Sequence, residues 1–202
     1  MAVIKLLNPT DLLEHQKISL FEELHPLTEN AFEHHITPRN IWTNLFKANY
    51  LFYIQDGNQI EAYTTGQANQ NKLHIYAVIV DPNNHTKGTG KALIRESLNR
   101  FPRQIISTQT QNPVLYLSLK SVAEDLGYDV FPHPRNELPL HILKQLQTEM
   151  PALETSLILR GLYGRQLRPT SLQMNKHFDI ASLFDKLDLG AGDAYQVVCV
   201  KK

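Results

Sequence analysis

Cysteine is almost absent: Cys199 is the only one in 202 residues. A disulfide framework and a thiolate metal cluster are thereby excluded. Cys199 itself lies in the alternating apolar run 195–200 and reads as a small buried hydrophobe rather than a nucleophile. Long apolar runs are missing too. Nothing approaches the roughly 20 residues that span a bilayer, and residues 1–13 lack the basic start and apolar core of a signal peptide. The sequence therefore reads as soluble, unexported and cytoplasmic, with no membrane partner. Neither sign of charge is in excess, since Lys+Arg 20 balance Asp+Glu 20, which argues against nucleic acid as an obligatory partner. The nine histidines are scattered, with no H-x-x-x-H or H-E-x-x-H spacing. Adjacent His34 and His35 would point different ways from a helix, so no metal site is expected.

What is present centres on residues 73–101, which read as strand, tight glycine-bearing loop and helix. Residues 73–80 are β-branched and aromatic, as a buried strand should be. Pro82 cannot donate to a ladder and Asp81-Pro82-Asn83-Asn84 is turn chemistry, so the strand ends near Val80. After Gly88-Thr89-Gly90, the apolar positions Ala92, Ile94, Leu98 and Phe101 recur at helical spacing between charged residues. Glycines at a helix start let an anion approach amides that lack intrahelical partners, at the positive end of the dipole. The plainer alternative is an ordinary strand-to-helix turn.

Two nucleotide motifs fail on these residues. A Walker loop would need a glycine where His85 stands and a hydroxyl where Ala92 stands. A dinucleotide fingerprint would need a third glycine where Leu93 stands. The run from Val80 through Asp81, Pro82, His85, Gly88 and Gly90 instead resembles the pyrophosphate loop of the GNAT acetyltransferases, V-x-P followed by Q or R-x-x-G-x-G or A. His85 replaces the usual Gln or Arg. The resemblance implies that acetyl-CoA is the co-substrate, held by Val78, Ile79, Val80, His85, Thr86, Lys87, Gly88, Thr89, Gly90 and Lys91. It also implies that strand amides near Val78 to Val80 polarise the thioester.

In chain order, residues 2–7 read as a strand, and a helix follows that should end before His25-Pro26. Residues 28–35 and 39–49 read as further helix, broken at Thr37-Pro38. Trp42, Leu45 and Phe46 are expected to pack on the sheet or line a substrate groove. Asp56-Gly57-Asn58 predicts a hairpin and residues 69–72 a second turn, giving an antiparallel meander. Residues 104–108 form a short strand. Asn112-Pro113 opens a helix closed by Gly127. Residues 123–128 resemble a GNAT closing segment in which many members carry a tyrosine acid; here that position is Ala123.

The fold expected from this alternation is α/β (α+β) of GNAT type. It would be a single domain over 1–202 with a mixed, mostly antiparallel sheet flanked by helices. Residues 132–192 form an unfamiliar insert before a last strand at 193–202. The insert is expected to cover the acceptor side, with a helix at 139–150, a strand at 157–163 and a helix at 177–187. Its basic residues Arg160, Arg165, Arg168 and Lys176 precede the acidic Asp179, Asp185, Asp188 and Asp193, reading as two separated patches. Two copies could pair through the C-terminal strand or the insert, so a homodimer is open.

Amine acetylation needs a neutral amine, donors for the developing oxyanion and a proton for the departing thiolate. Simple alternation places His74, Tyr76, Val78 and Val80 on one face of the central strand. His74 and Tyr76 are therefore the candidate catalytic residues, with Tyr163 and Tyr195 as further candidates for the acid. The expected function is transfer of an acetyl group to a primary amine of a small molecule or peptide. The alternative is a noncatalytic CoA-binding or interaction protein on the same fold.

Overall fold

Strand-forming and turn residues alternate closely through the first half of the chain, and the backbone follows them. The structure, a computed structural model, describes residues 3–32, 36–57, 59–167 and 178–202, and of residues 85–87 and 178 the backbone alone. Two compact units divide the chain, Met1–Ile106 and Ser107–Lys202.

The first unit carries an antiparallel sheet in the order β1 (Ile4–Leu7), β2 (Tyr50–Asp56), β3 (Gln59–Ala68) and β4 (Lys72–Val80). Gly57, with φ +57°, turns the β2–β3 hairpin, as Asp-Gly predicts. Between β3 and β4, the Asn69 side chain accepts from Asn71 N at 3.0 Å and Lys72 N at 2.8 Å, an Asx turn at the expected place. The predicted meander is thus present.

One face of this sheet packs against α1 (Glu14–Ala31) and α2 (Pro38–Phe46). Leu24, Leu27 and Ala31 of α1 and Ile41 and Leu45 of α2 share a core with Leu51, Ile60, Tyr63 and Ile79. Each such aliphatic side chain contributes about 1.5–3 kcal/mol through burial. Trp42 and Phe46 lie against each other with tilted rings, and Trp42 also meets Phe21 edge-on. The opposite face receives α3 (Thr89–Arg100), whose Leu93, Ile94 and Leu98 are buried. Phe101 after α3 lies 5.0 Å from the Tyr50 ring.

The helix predicted to stop before His25 runs on through Pro26 to Ala31. Pro26 removes one helical hydrogen bond, but the turns beyond it are held from the side. Leu27, Thr28 and Ala31 are buried, and the Thr28 hydroxyl bonds to Leu24 O at 2.8 Å and Tyr63 Oη at 2.6 Å. Packing of an apolar face outweighs one missing bond.

The second unit contains α4 (Pro113–Asp125), β6 (Tyr128–Phe131), α5 (Leu140–Glu149), β7 (Ile158–Leu159), α6 (Phe178–Phe184) and β8 (Ala194–Lys201), preceded by β5 (Ile105–Thr110). Asn112 caps α4 through Val114 N at 2.9 Å and Gly127 follows with φ +81°, both as the sequence predicts. β8 lies between β5 and β6, with β7 also paired to it antiparallel. Being flanked on both sides, β8 offers no free edge to a second copy, contrary to the expectation for the C-terminal strand. The strand expected over 157–163 shrinks to two residues, because Leu157 at φ +64° and Gly161 at φ +61° bend the chain on either side. Tyr116, Phe184 and Tyr195 stack edge-on in the core. Cys199 is fully buried, and burial pushes its thiol pKa far up.

The two charge patches expected in the insert meet, among the described residues, at the pair Arg160–Asp193. Arg160 pairs with both Glu154 and Asp193, and the Asp193 carboxylate also accepts from Gly161 N at 2.9 Å and Asp188 N at 3.0 Å. Ala2, His34, His35, Asn58, Arg168, Lys176 and His177, to which the sequence gives places in strand, helix, turn or patch, lie outside the described residues. No helix among the described residues is long and apolar enough to cross a membrane.

Burial alone would raise the Asp193 pKa, but the bonds from Gly161, Arg160 and Asp188 outweigh it and hold the carboxyl below its ordinary value. A depressed folded pKa contributes stability above the unfolded value of about 4 and loses it as pH falls through the lower folded one. Asp193→Asn turns one acceptor into a donor facing other donors, and is expected to cost about 2 kcal/mol near neutral pH. Urea melts should show that gap, and it should close as the wild type is acidified below pH 4.

Candidate functional site

β4 stops at Val80 because Pro82 has no amide to continue a ladder and Asp81 caps the next turn. The Asp81 carboxylate accepts from Asn83 N at 2.8 Å and its carbonyl from Asn84 N at 2.8 Å. Residues Pro82–Lys87 close into a 3-10 turn, where the sequence reads turn chemistry and a tight loop. Gly88 then adopts φ +73°, ψ 9° and α3 begins at Thr89. That left-handed conformation costs other residues roughly 1–2 kcal/mol. A Cβ placed on Gly88 would meet nothing within 4 Å, so the backbone requires glycine while the space beside it stays open. At Gly90 a Cβ would lie 3.5 Å from Val80 Cγ2 and 3.7 Å from Val78 Cγ1. The helix start therefore sits directly on the two valines.

The first intrahelical bond of α3 runs from Ala92 N to Gly88 O at 3.0 Å. Thr89 and Gly90 open the helix, where backbone amides commonly lack intrahelical partners. They lie at the positive end of the helix dipole, beside the open space at Gly88. This arrangement suits a phosphate group. Of His85, Thr86 and Lys87 the backbone forms the turn; their side chains lie outside the described residues.

β4 is not regular. Its pairing with β3 runs Ala62↔Val80, Tyr63↔Ile79, Thr64↔Val78 and Thr65↔Ala77, then jumps to Gly66↔Ile75 and Gln67↔His74. Tyr76 is the extra residue of a β-bulge, and the bulge reverses which side chains share a face. Val78 and Val80 point toward α3, as their closeness to Gly90 requires. His74 pairs with Gln67, on the Tyr63 face of β3, where α1 and α2 pack. Tyr76 joins it there, its ring 5.1 Å from the His74 ring. The sequence-based expectation that His74, Tyr76, Val78 and Val80 share a face is therefore corrected: the bulge separates the two candidate catalytic residues from the two valines.

The bulge also sorts the amides. Asp81 N donates to Glu61 O at 2.9 Å, and by alternation the amide of Ile79 faces β3 as well. Val78 and Val80 turn theirs to the other flank of β4. Of the three residues expected to polarise a carbonyl, Ile79 is therefore the least suited.

Around Tyr76 the structure gathers residues that sequence reasoning missed. Its hydroxyl donates to Gln67 Oε1 at 3.1 Å, and the ammonium of Lys47, just past α2, lies 4.1 Å from its ring centroid. Burial raises the Tyr76 pKa above the ordinary tyrosine value, so the phenol keeps its proton at neutral pH. Loss of hydration lowers that of Lys47. Four residues of strand, about 13 Å at 3.3 Å per residue, separate Tyr76 from Val80.

Solved structures share this architecture. The ribosomal-protein-S18-alanine N-acetyltransferase of Escherichia coli matches 99% of this chain and 96% of its own, with a TM-score of 0.50 and 14% identity. Tetrahymena GCN5 matches over 70% of this chain and 86% of its own, with a TM-score of 0.52 and 13% identity. The chain has the GNAT acetyltransferase fold. No protein-family model matches the sequence, and no curated protein sequence does.

Within the GNAT fold, Ala123 on α4 is fully buried and brings no proton donor to the position where many members have tyrosine. The other two tyrosine candidates are tied to carbonyls. Tyr163 donates to Gln109 O at 3.2 Å and Tyr195 to Leu183 O at 2.7 Å. Burial pushes both pKa values up to about 12. Among the described residues no group of three or more His, Cys, Asp or Glu is placed to hold a metal ion.

One sequence signal could have revealed the bulge. Gly66 is a glycine inside a strand, which often marks a bulge or a close backbone approach. A Cβ there would fall 2.2 Å from His74 O and 2.5 Å from Tyr50 Oη. Gly66→Ala must therefore displace the bulge or the Tyr50 ring, and is expected to cost about 3 kcal/mol in a urea melt. Gly90→Ala, whose added methyl makes only ordinary contacts, should be close to neutral in the same measurement.

Proposed function

We propose that this protein transfers the acetyl group of acetyl-CoA to a primary amine by direct attack of the amine on the thioester. The observation that carries the reading is the junction at Gly88: a left-handed glycine with open space beside it, leading from a bulged strand into the N-terminus of a helix. Likeness of fold to two acetyltransferases supports it.

The backbone from His85 to Lys91 would hold the diphosphate of CoA, with Gly88 leaving room and the dipole of α3 supplying positive potential. Acetyl-CoA supplies an activated acetyl group as a thioester. The β4 backbone near Val78 would polarise its carbonyl, as the resemblance to the acetyltransferases implies. Tyr76 and His74 lie about the length of a pantetheine arm from the loop. Tyr76, whose phenol keeps its proton at neutral pH, suits the role of proton donor to the departing thiolate. His74 beside it suits acceptance of a proton from the incoming ammonium.

Buried Ala123 favours a second reading, a CoA-binding protein that does not turn over. The two are separated by incubating the protein with acetyl-CoA and a panel of primary amines and measuring thiol release. Binding without release above the uncatalysed rate would favour the second reading.

Gly88→Val, which forces a β-branched residue into a left-handed conformation, is expected to weaken acetyl-CoA binding at least tenfold by calorimetry in a protein that still melts cooperatively. Unchanged affinity would remove the loop from the site. Tyr76→Phe keeps the ring beneath Lys47 and removes only the hydroxyl. Its kcat is expected to fall about a hundredfold with acetyl-CoA affinity unchanged, and an unchanged kcat would leave Tyr76 a packing residue.

A further inference from the structure

Lys47 is an exposed residue whose ammonium rests on the face of the Tyr76 ring. Among the described residues no carboxylate pairs with it, and it is stabilised there only by the ring. A cation that has given up part of its water without gaining a counter-ion is poised to bind an anion. A second donor stands at the Tyr76 hydroxyl. The Oε1 atom of Gln67 accepts from the Tyr76 hydroxyl, which leaves the Nε2 of this exposed side chain directed elsewhere and without a partner among the described residues. Lys47 at the ring and Gln67 at the hydroxyl therefore bring two donors to the bulge residue.

This polar cluster faces the side of β4 covered by α1 and α2, away from the valines against the phosphate loop. Such a site has little to offer a polycation and much to offer a carboxylate, whose two oxygens can take both donors. We propose that Lys47 and Gln67 select an acceptor that carries a carboxylate, so that the substrate class is a small amino carboxylate rather than a polyamine or other polycationic amine. This rests on the acetyl-transfer reading above, and names the acceptor of that same site. Lys47 is the specificity residue: its charge fixes the acceptor's carboxylate while the acceptor's amine is presented near Tyr76.

The test uses the full chain and two matched probe series, the ω-amino acids from glycine to 6-aminohexanoate and the corresponding ω-amino amides, with spermidine as the polycation. Initial rates of acetyl transfer and calorimetric binding, each with and without acetyl-CoA, are compared for wild type, Lys47→Gln, Lys47→Arg and Gln67→Leu. For the preferred chain length, the wild type should favour the carboxylate over its amide by about tenfold in kcat/KM and in affinity, as one partly desolvated ion pair provides. Lys47→Gln should bring that ratio near one and improve spermidine, Lys47→Arg should retain most of it, and Gln67→Leu should lose part. The proposal is overturned if the wild type binds and acetylates carboxylate and amide alike, prefers spermidine, or keeps its ratio in Lys47→Gln. Failure of the acetyl-transfer reading shows separately, as absence of acetyl-CoA binding, and the carboxylate-to-amide ratio in direct binding still tests Lys47.

Discussion

Gly66 and Tyr76 meet across β3 and β4 where one strand carries a residue more than the other, and the geometry of the candidate site depends on that mismatch. A regular β4 would carry His74 and Tyr76 to the same side as Val78 and Val80, against α3, and Lys47 would find no ring to rest on. The extra residue turns the first half of the strand toward α1 and α2 while the second half still supports the helix start. One irregularity thus assigns the two valines under the start of α3 to one side of β4 and the polar cluster to the other. Gly66 permits it, since a methyl group there would collide with the carbonyl of His74.

The glycine loop proposed to hold phosphate relies on backbone conformation instead. Its features are a proline that ends a strand, an aspartate that caps a 3-10 turn, and a glycine at positive φ that redirects the chain into α3. None of these is a positively charged side chain. Aligned peptide dipoles at the start of α3 add a positive potential that does not titrate.

Features written in local chemistry were legible in the sequence. Asp56-Gly57 gave the hairpin, Asn69 the second turn, Asn112-Pro113 and Gly127 the limits of α4, and Val80, Pro82, Gly88 and Gly90 the strand, loop and helix. What escaped depended on residues far apart in sequence. Pro26 looked like a helix end because nothing local shows that Thr28 will bond Tyr63. The bulge was hidden because alternation counts residues in one strand, whereas a bulge is a mismatch between two. Lys47 and Gln67 looked like ordinary surface residues until folding brought both to Tyr76. The charge patches of the insert read as separate because Arg160 and Asp193 are 33 positions apart, although they form one ion pair.

The buried, strongly protonated thiol of Cys199 has a practical consequence. Chemical labels for cysteine react with the thiolate, which this residue does not present in the folded state. The native chain is therefore silent toward maleimide-type reagents, and a cysteine introduced on the surface would be its only reactive thiol. A fluorophore or spin label attached beside the phosphate loop or near Lys47 would then report occupancy of each end of β4 separately, with no background from the native sequence.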